Sequence, residues 1–169
     1  PNALLHTSHA FHSAMMDGVL PAFKQFLENT VRSAPSMPYV SNLSGQWVDA
    51  KAVVGTTYWV DHLRQPVLFG ASIEFLCEQN DWIFIEVGPG NALTQLVAQN
   101  AHLQARNIAI STLGKYSSKT AQAPTLAEAL AQLYRHGVNF DWEIYYEEEQ
   151  RKRVALPTYA FDRKYYYPT

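Results

Sequence analysis

Trp82-Ile83-Phe84-Ile85-Glu86-Val87 is closed by Gly88-Pro89-Gly90. It is too continuously apolar for a strand with one wet face, and runs of this kind sit in the interior of parallel sheets. Two glycines around a proline then end it. Ala92 to Gln99 follows with helix formers, carrying Leu93, Leu96 and Val97 on one side, and Asn107 to Leu113 is a second buried-strand candidate. The order strand, helix, strand predicts a layered α/β fold with parallel strands.

Upstream, Val19, Leu20, Phe23, Phe26 and Leu27 recur at helical spacing. Asp17 or Gly18 is the expected cap, with Pro21 in the first turn, where proline costs least. Pro38-Tyr39-Val40-Ser41-Asn42-Leu43, closed by Ser44-Gly45, predicts a strand running into a turn. Two helices are expected over about 56 to 64 and 70 to 79, parted at Gln65-Pro66 because the residue before proline disfavours helical geometry. Downstream, polar Lys115 to Pro124 reads as a connection, placing a boundary near residue 114. Thr125 to His136 predicts one more helix, with Thr125 and Glu128 in capping-box spacing and Gly137 as the stop. An extended, aromatic tail closes the chain.

A length of 169 residues that are 47% hydrophobic suits one ordinary core. Thirteen Lys and Arg against fifteen Asp and Glu give a formal charge of −2, which argues against a general nucleic-acid binder. Arg151-Lys152-Arg153 lies beside Glu147-Glu148-Glu149, so its field is cancelled locally. The one cysteine, Cys77, excludes a disulfide framework or a multi-cysteine zinc site within the chain and fits a reducing compartment such as the cytoplasm. No apolar run approaches the roughly 18 residues of a membrane span, and no signal-peptide pattern opens the chain, so no membrane partner is expected. Pro1 at the start and Tyr165-Tyr166-Tyr167-Pro168-Thr169 at the end predict a piece of a longer polypeptide.

The densest titratable cluster is His6, His9 and His12. These imidazoles are three apart, precede the helix start and have no nearby carboxylate or thiol, so no metal site is expected. Gly88-Pro89-Gly90 lacks the longer glycine pattern and lysine of a phosphate loop and reads as a tight strand-to-helix turn. Glu86 reads as a strand-end carboxylate paired with a backbone donor or a cation.

Thr7-Ser8-His9-Ala10-Phe11-His12-Ser13, followed by Met15-Met16, resembles the histidine motif of the acyltransferase domains of modular type I polyketide synthases. Four further blocks resemble the same family in the same order. They are Tyr39-Val40-Ser41-Asn42, the stretch Tyr58 to Val67 containing Asp61-His62-Leu63-Arg64-Gln65-Pro66, the stretch Phe84 to Thr94, and Leu156 to Lys164. The resemblance implies that residues 1–114 are the C-terminal part of an acyltransferase domain, an incomplete portion of its α/β-hydrolase-like parallel-sheet layer. Residues 115–169 would then be the linker that follows such domains, with a helix over about 125–137 and a tail packing toward the acyltransferase and the ketosynthase.

In this family a serine within Gly-His-Ser-x-Gly takes an acyl group from coenzyme A and passes it to the phosphopantetheine thiol of an acyl carrier protein. A serine hydroxyl is a poor nucleophile at neutral pH, so an imidazole must take its proton. His12 aligns with that base, and the resemblance implies that the backbone carbonyl of His62 orients it. His9, Ala10 and Phe11 align with the positions associated with extender choice, and His-Ala-Phe-His resembles the malonyl form. Malonyl-CoA is thus the implied substrate, with no cofactor bound by this chain. The chain contains no Gly-His-Ser-x-Gly sequence and no candidate for the family's malonyl-gripping arginine. Both are expected on the N-terminal part of the same domain, the chain's first implied partner beside the carrier protein and the ketosynthase with its linker. Alternatively, the polypeptide by itself is a non-catalytic docking piece.

Overall fold

β1 (Ile83–Glu86) and β2 (Ile108–Ser111) pair in parallel, with Ile83 opposite Ile108 and Glu86 opposite Ser111. The structure, a computed structural model, describes residues 8–100, 107–114, 126–150, 152, 154–162, 164, 166 and 167. His6, the polar connection 115–124 and the expected cap Thr125 lie outside them.

Alternation along the two strands sends side chains to opposite faces. Phe84 and Ala109 pack with Ile73 and Cys77 of α4 (Phe69–Gln79) and Val97 of α5 (Ala92–Ala98). Ile83, Ile108 and Ile110 pack with Ala129 and Leu133 of α6 (Leu126–Arg135). The result is an α/β sandwich of helix, sheet and helix, as expected. Its strands are less buried than the interior of a large sheet: Ile85 is 46% exposed, and Leu93 and Leu96 of α5 are about half exposed. Two strands among the described residues present too little sheet to cover that side of α5. An apolar cavity of about 140 Å³, lined by Phe69, Ile73, Phe84, Leu93 and Val97, lies where the cover is thin.

α6 ends as its glycine predicts. Gly137 adopts φ +85, its N–H bonds the Tyr134 carbonyl at 3.0 Å, and the Val138 N–H reaches the Leu133 carbonyl at 3.1 Å. Both bonds satisfy carbonyls that a helix end leaves free. Asp141 then caps the short α7 (Trp142–Tyr145) through the N–H groups of Glu143 and Ile144.

The other half of the chain is helical. α1 (Leu20–Glu28) has Pro21 in its first turn, but its cap position is Val19, without a side-chain bond. Asp17, one of the two expected caps, is instead ion-paired with Arg64. α3 (Thr56–Arg64) and α4 occupy the two expected helical stretches, and Gln65 between them is extended, as proline after it requires. α2 (Ala50–Val54) was not anticipated, although Asp49 supplies its cap by accepting from the Lys51 N–H at 2.9 Å. The strand expected over 38–43 reduces to one antiparallel bridge, Val40 with Trp47. The chain reverses at once, with the Gly45 N–H on the Ser41 carbonyl at 2.8 Å, leaving no length for a ladder. No helix among the described residues is long and apolar enough to cross a membrane.

Candidate active site

The loop 8–13 is tied by its own short-range bonds. His9 Nδ1 meets Ser8 Oγ at 2.9 Å, the Phe11 N–H reaches the His9 carbonyl at 3.2 Å, and Ser13 Oγ donates to the Ala10 carbonyl at 2.6 Å. Ser13 Oγ also accepts from the Met15 N–H at 3.2 Å, starting a single 3₁₀ turn, Ala14–Met16. His9, Ala10 and Phe11 are left exposed, Phe11 by 58%.

His12 stands apart from them. Among the described residues it is the one non-glycine with positive φ, at 59°. That conformation costs an L-residue about 1–2 kcal/mol, so other contacts must hold it. Two do: its N–H donates to the Leu63 carbonyl at 3.2 Å, and its ring Nδ1 lies 2.9 Å from the His62 carbonyl. These carbonyls belong to the last turn of α3, where the helix has no internal donors left. Strain offset by surrounding contacts is a common property of functional residues.

The bond to His62 sets the tautomer. A carbonyl oxygen can only accept, so Nδ1 carries the proton and the neutral ring presents its lone pair at Nε2. With Nδ1 so engaged, the half-buried ring has Nε2 as its acceptor nitrogen and a fixed rear contact at the negative end of a helix dipole. Arg64, paired with Asp17, ties the end of α3 to the segment that follows His12.

His62 contributes its side chain as well. Its ring lies among Tyr58, Trp59 and His12, with centroids 6.1, 6.1 and 5.9 Å away. Burial first, and then the nearby His12, hold its pKa below the ordinary histidine value, so it is neutral at neutral pH. Asn42 Nδ2 donates to His62 Nε2 at 3.4 Å, at the long end for such a bond. One turn earlier, Tyr58 shares a 3.1 Å hydroxyl bond with the buried Ser41. Burial and the Tyr58 hydroxyl also push the Tyr39 phenol up to about 12.

Sequence reasoning therefore named His12 and the His62 carbonyl, and the structure brings these two together. It missed Ser41, Asn42 and Tyr58 as their supports. Glu86 takes the expected pairing: it accepts from the N–H groups of Leu93 and Thr94 and from Thr94 Oγ1, at 3.2, 2.8 and 2.7 Å, closing the first turn of α5. The Thr94 hydroxyl, and then backbone donors, hold its carboxyl below the usual range. Among the described residues no three His, Cys, Asp or Glu side chains are grouped to hold a metal ion.

The sequence profile of the acyl transferase domain matches residues 3–139. The chain belongs to the acyl transferase domain family. This acyl transferase chain is 35% identical over 161 residues to the phenolphthiocerol synthesis polyketide synthase type I Pks15/1 of Mycobacterium marinum, covering 95% of this chain and 8% of that protein. It is 32% identical over 163 residues to polyketide synthase GfsB of Streptomyces halstedii, covering 96% and 3%. Among solved structures it resembles the acyltransferase domain from the second module of the salinomycin polyketide synthase, with a TM-score of 0.74 and 38% identity over 93% of this chain and 36% of that one. The acyl transferase chain thus spans a small part of the synthases it matches and about a third of a solved domain.

Proposed function

We propose that this chain is the base-bearing, C-terminal part of a polyketide synthase acyltransferase that moves a malonyl unit from coenzyme A to the phosphopantetheine of an acyl carrier protein. The observation that carries the reading is the 2.9 Å bond between His12 Nδ1 and the His62 carbonyl, which leaves Nε2 free to take a proton. In the reaction so read, Nε2 accepts the hydroxyl proton of a serine on the N-terminal part of the same domain. The serine oxygen bonds to the acyl carbon, the carbon–sulfur bond breaks, and the proton passes from Nε2 to the departing thiolate. The carrier thiol reverses these steps. The last-turn carbonyls of α3 face the imidazolium while it exists, an interaction worth about 0.3–1 kcal/mol at a helix C-terminus and up to about 2 kcal/mol where it is partly buried. The His62 carbonyl thus fills the place of the carboxylate in a serine–histidine–aspartate triad.

His9, Ala10 and Phe11 set the extender preference, since they form the exposed rim beside the base and Phe11 would occupy the space of an α-methyl group. We read residues 1–114 as the acyltransferase portion and 115–169 as the linker, with the family match running on through α6 to residue 139, in a protein of the cytoplasm. A second reading rests on a separate observation: Tyr159, Phe161, Tyr166 and Tyr167 are all at least 76% exposed. Such a tail suits docking against the ketosynthase and its linker, and it is compatible with the first reading. The test is to mix malonyl-CoA with this chain and, separately, with an intact acyltransferase domain containing it. Acyl-enzyme on the intact domain and none on the chain is the expected result. Stoichiometric acylation of the chain itself, which has no Gly-His-Ser-x-Gly serine, would contradict the assignment.

A further inference from the structure

Asn42 lies in the reversal between Val40 and Trp47 and is bonded in two directions. Its backbone carbonyl accepts from the Leu68 N–H at 2.9 Å, at the entry to α4, and its side-chain amide reaches the His62 ring at 3.4 Å. Its neighbour Ser41 is 2% exposed, with Oγ shared between the Tyr58 hydroxyl and the Leu43 N–H. Tyr58 and His62 are four apart, on one face of α3. The reversal therefore grips α3 at two points one turn apart and also holds the segment that follows it. The gripped turn is the one whose carbonyls hold His12.

We infer that Asn42 is a positioning residue for acyl transfer: by holding the His62 ring and the Leu68 N–H it fixes the last turn of α3, and so the direction in which His12 presents Nε2. The inference rests on reading His12 as the base. An amide suits the task because it donates to the neutral imidazole without bringing a charge. A carboxylate there would offer no donor and would draw a proton onto His62, 5.9 Å from the His12 ring.

Acyl-enzyme formation from malonyl-CoA, measured on the intact domain, tests this. Asn42→Ala and His62→Leu are each expected to lower kcat about tenfold with little change in KM, the signature of a misaimed group. The double variant should lose about tenfold as well, where independent sites would give about a hundredfold. His62→Gln, which keeps an acceptor for Asn42, should be faster than His62→Leu by about threefold or more. Additive losses, a change confined to KM, or a wild-type rate for Asn42→Ala would overturn the inference. If Asn42→Ala does not fold, the His62→Leu and His62→Gln pair decides: His62→Gln must be the faster of the two, and equal rates would overturn the inference. His12→Ala is measured alongside. A wild-type rate there removes the base and the inference together, whereas a slow His12→Ala beside an unaffected Asn42→Ala removes the inference alone.

Discussion

Replacing Gly45 by alanine acts on the turn that carries Asn42, and its cost can be worked out by comparison with a second glycine. Gly45 has φ +68, and an added Cβ would lie 3.1 Å from the Ala71 Cβ on α4. Gly137 has φ +85 with nothing within 4 Å of the same added atom. Both substitutions force an L-residue into the left-handed region, at about 1–2 kcal/mol each. Only Gly45→Ala also presses on a neighbour, and because that neighbour is a methyl fixed to a helix, the backbone must move, adding about 1–3 kcal/mol. At about 2–4 °C per kcal/mol for a chain of this size, Gly45→Ala should lower Tm by about 10 °C and Gly137→Ala by about 4 °C. Thermal unfolding followed by circular dichroism reads both values. In the intact domain Gly45→Ala should also slow acylation, because the turn it displaces supports α3, whereas Gly137→Ala ends a helix that packs against β2. Equal losses at the two sites, or the larger one at Gly137, would show that the approach to the Ala71 Cβ does not set the cost.

Phe11→Ser in the intact domain should raise acceptance of methylmalonyl relative to malonyl by about tenfold, within the limit set by discrimination of a single methyl group. Competition between the two thioesters measures it, and an unchanged ratio would move selectivity elsewhere. His62 predicts a pH effect on stability. Its folded pKa lies below the unfolded value of 6.5, so as pH falls below that value the unfolded chain binds the proton first and stability declines. Urea unfolding at neutral and mildly acid pH should show this slope reduced in His62→Gln; the same slope in both proteins would contradict the burial of a neutral ring. Glu86 is held below its usual range, so its support of α5 is present above the unfolded carboxylate value of 4.5 and fades as pH falls through the folded one. Glu86→Gln should flatten that acid limb, and an unaltered limb would show that the carboxylate bonds to Thr94 contribute nothing.

Local rules read well from the sequence and long-range ones did not. The Gln65-Pro66 break, the apolar run ending at Gly88 and the glycine stop at Gly137 each depend on neighbours within a few residues, and each is found where expected. Asp49 and Asp141 were equally local signals for α2 and α7, but helices this short bury too little to show apolar periodicity. The sequence offers Asp17 or Gly18 as the cap of α1, because nothing near Asp17 in sequence reveals that Arg64 is its partner. The same limit hid the supports of the site. Asn42 and His62 are 20 residues apart, and Ser41 and Tyr58 are 17 apart. His12 and His62, fifty apart, were paired through the family resemblance, since neither spacing nor composition joins them. The half-exposed face of α5 has a different origin: its apolar pattern is suited to a larger sheet than the described residues provide.

In the proposed reaction His12 takes the proton from the nucleophile. The most direct measurement is the rate of acyl-enzyme formation from malonyl-CoA by the intact domain with and without His12→Ala, in protein shown to be folded. A loss of about a hundredfold or more is predicted for removal of a general base. A variant that acylates at the wild-type rate would show that the imidazole held by α3 plays no part in the chemistry.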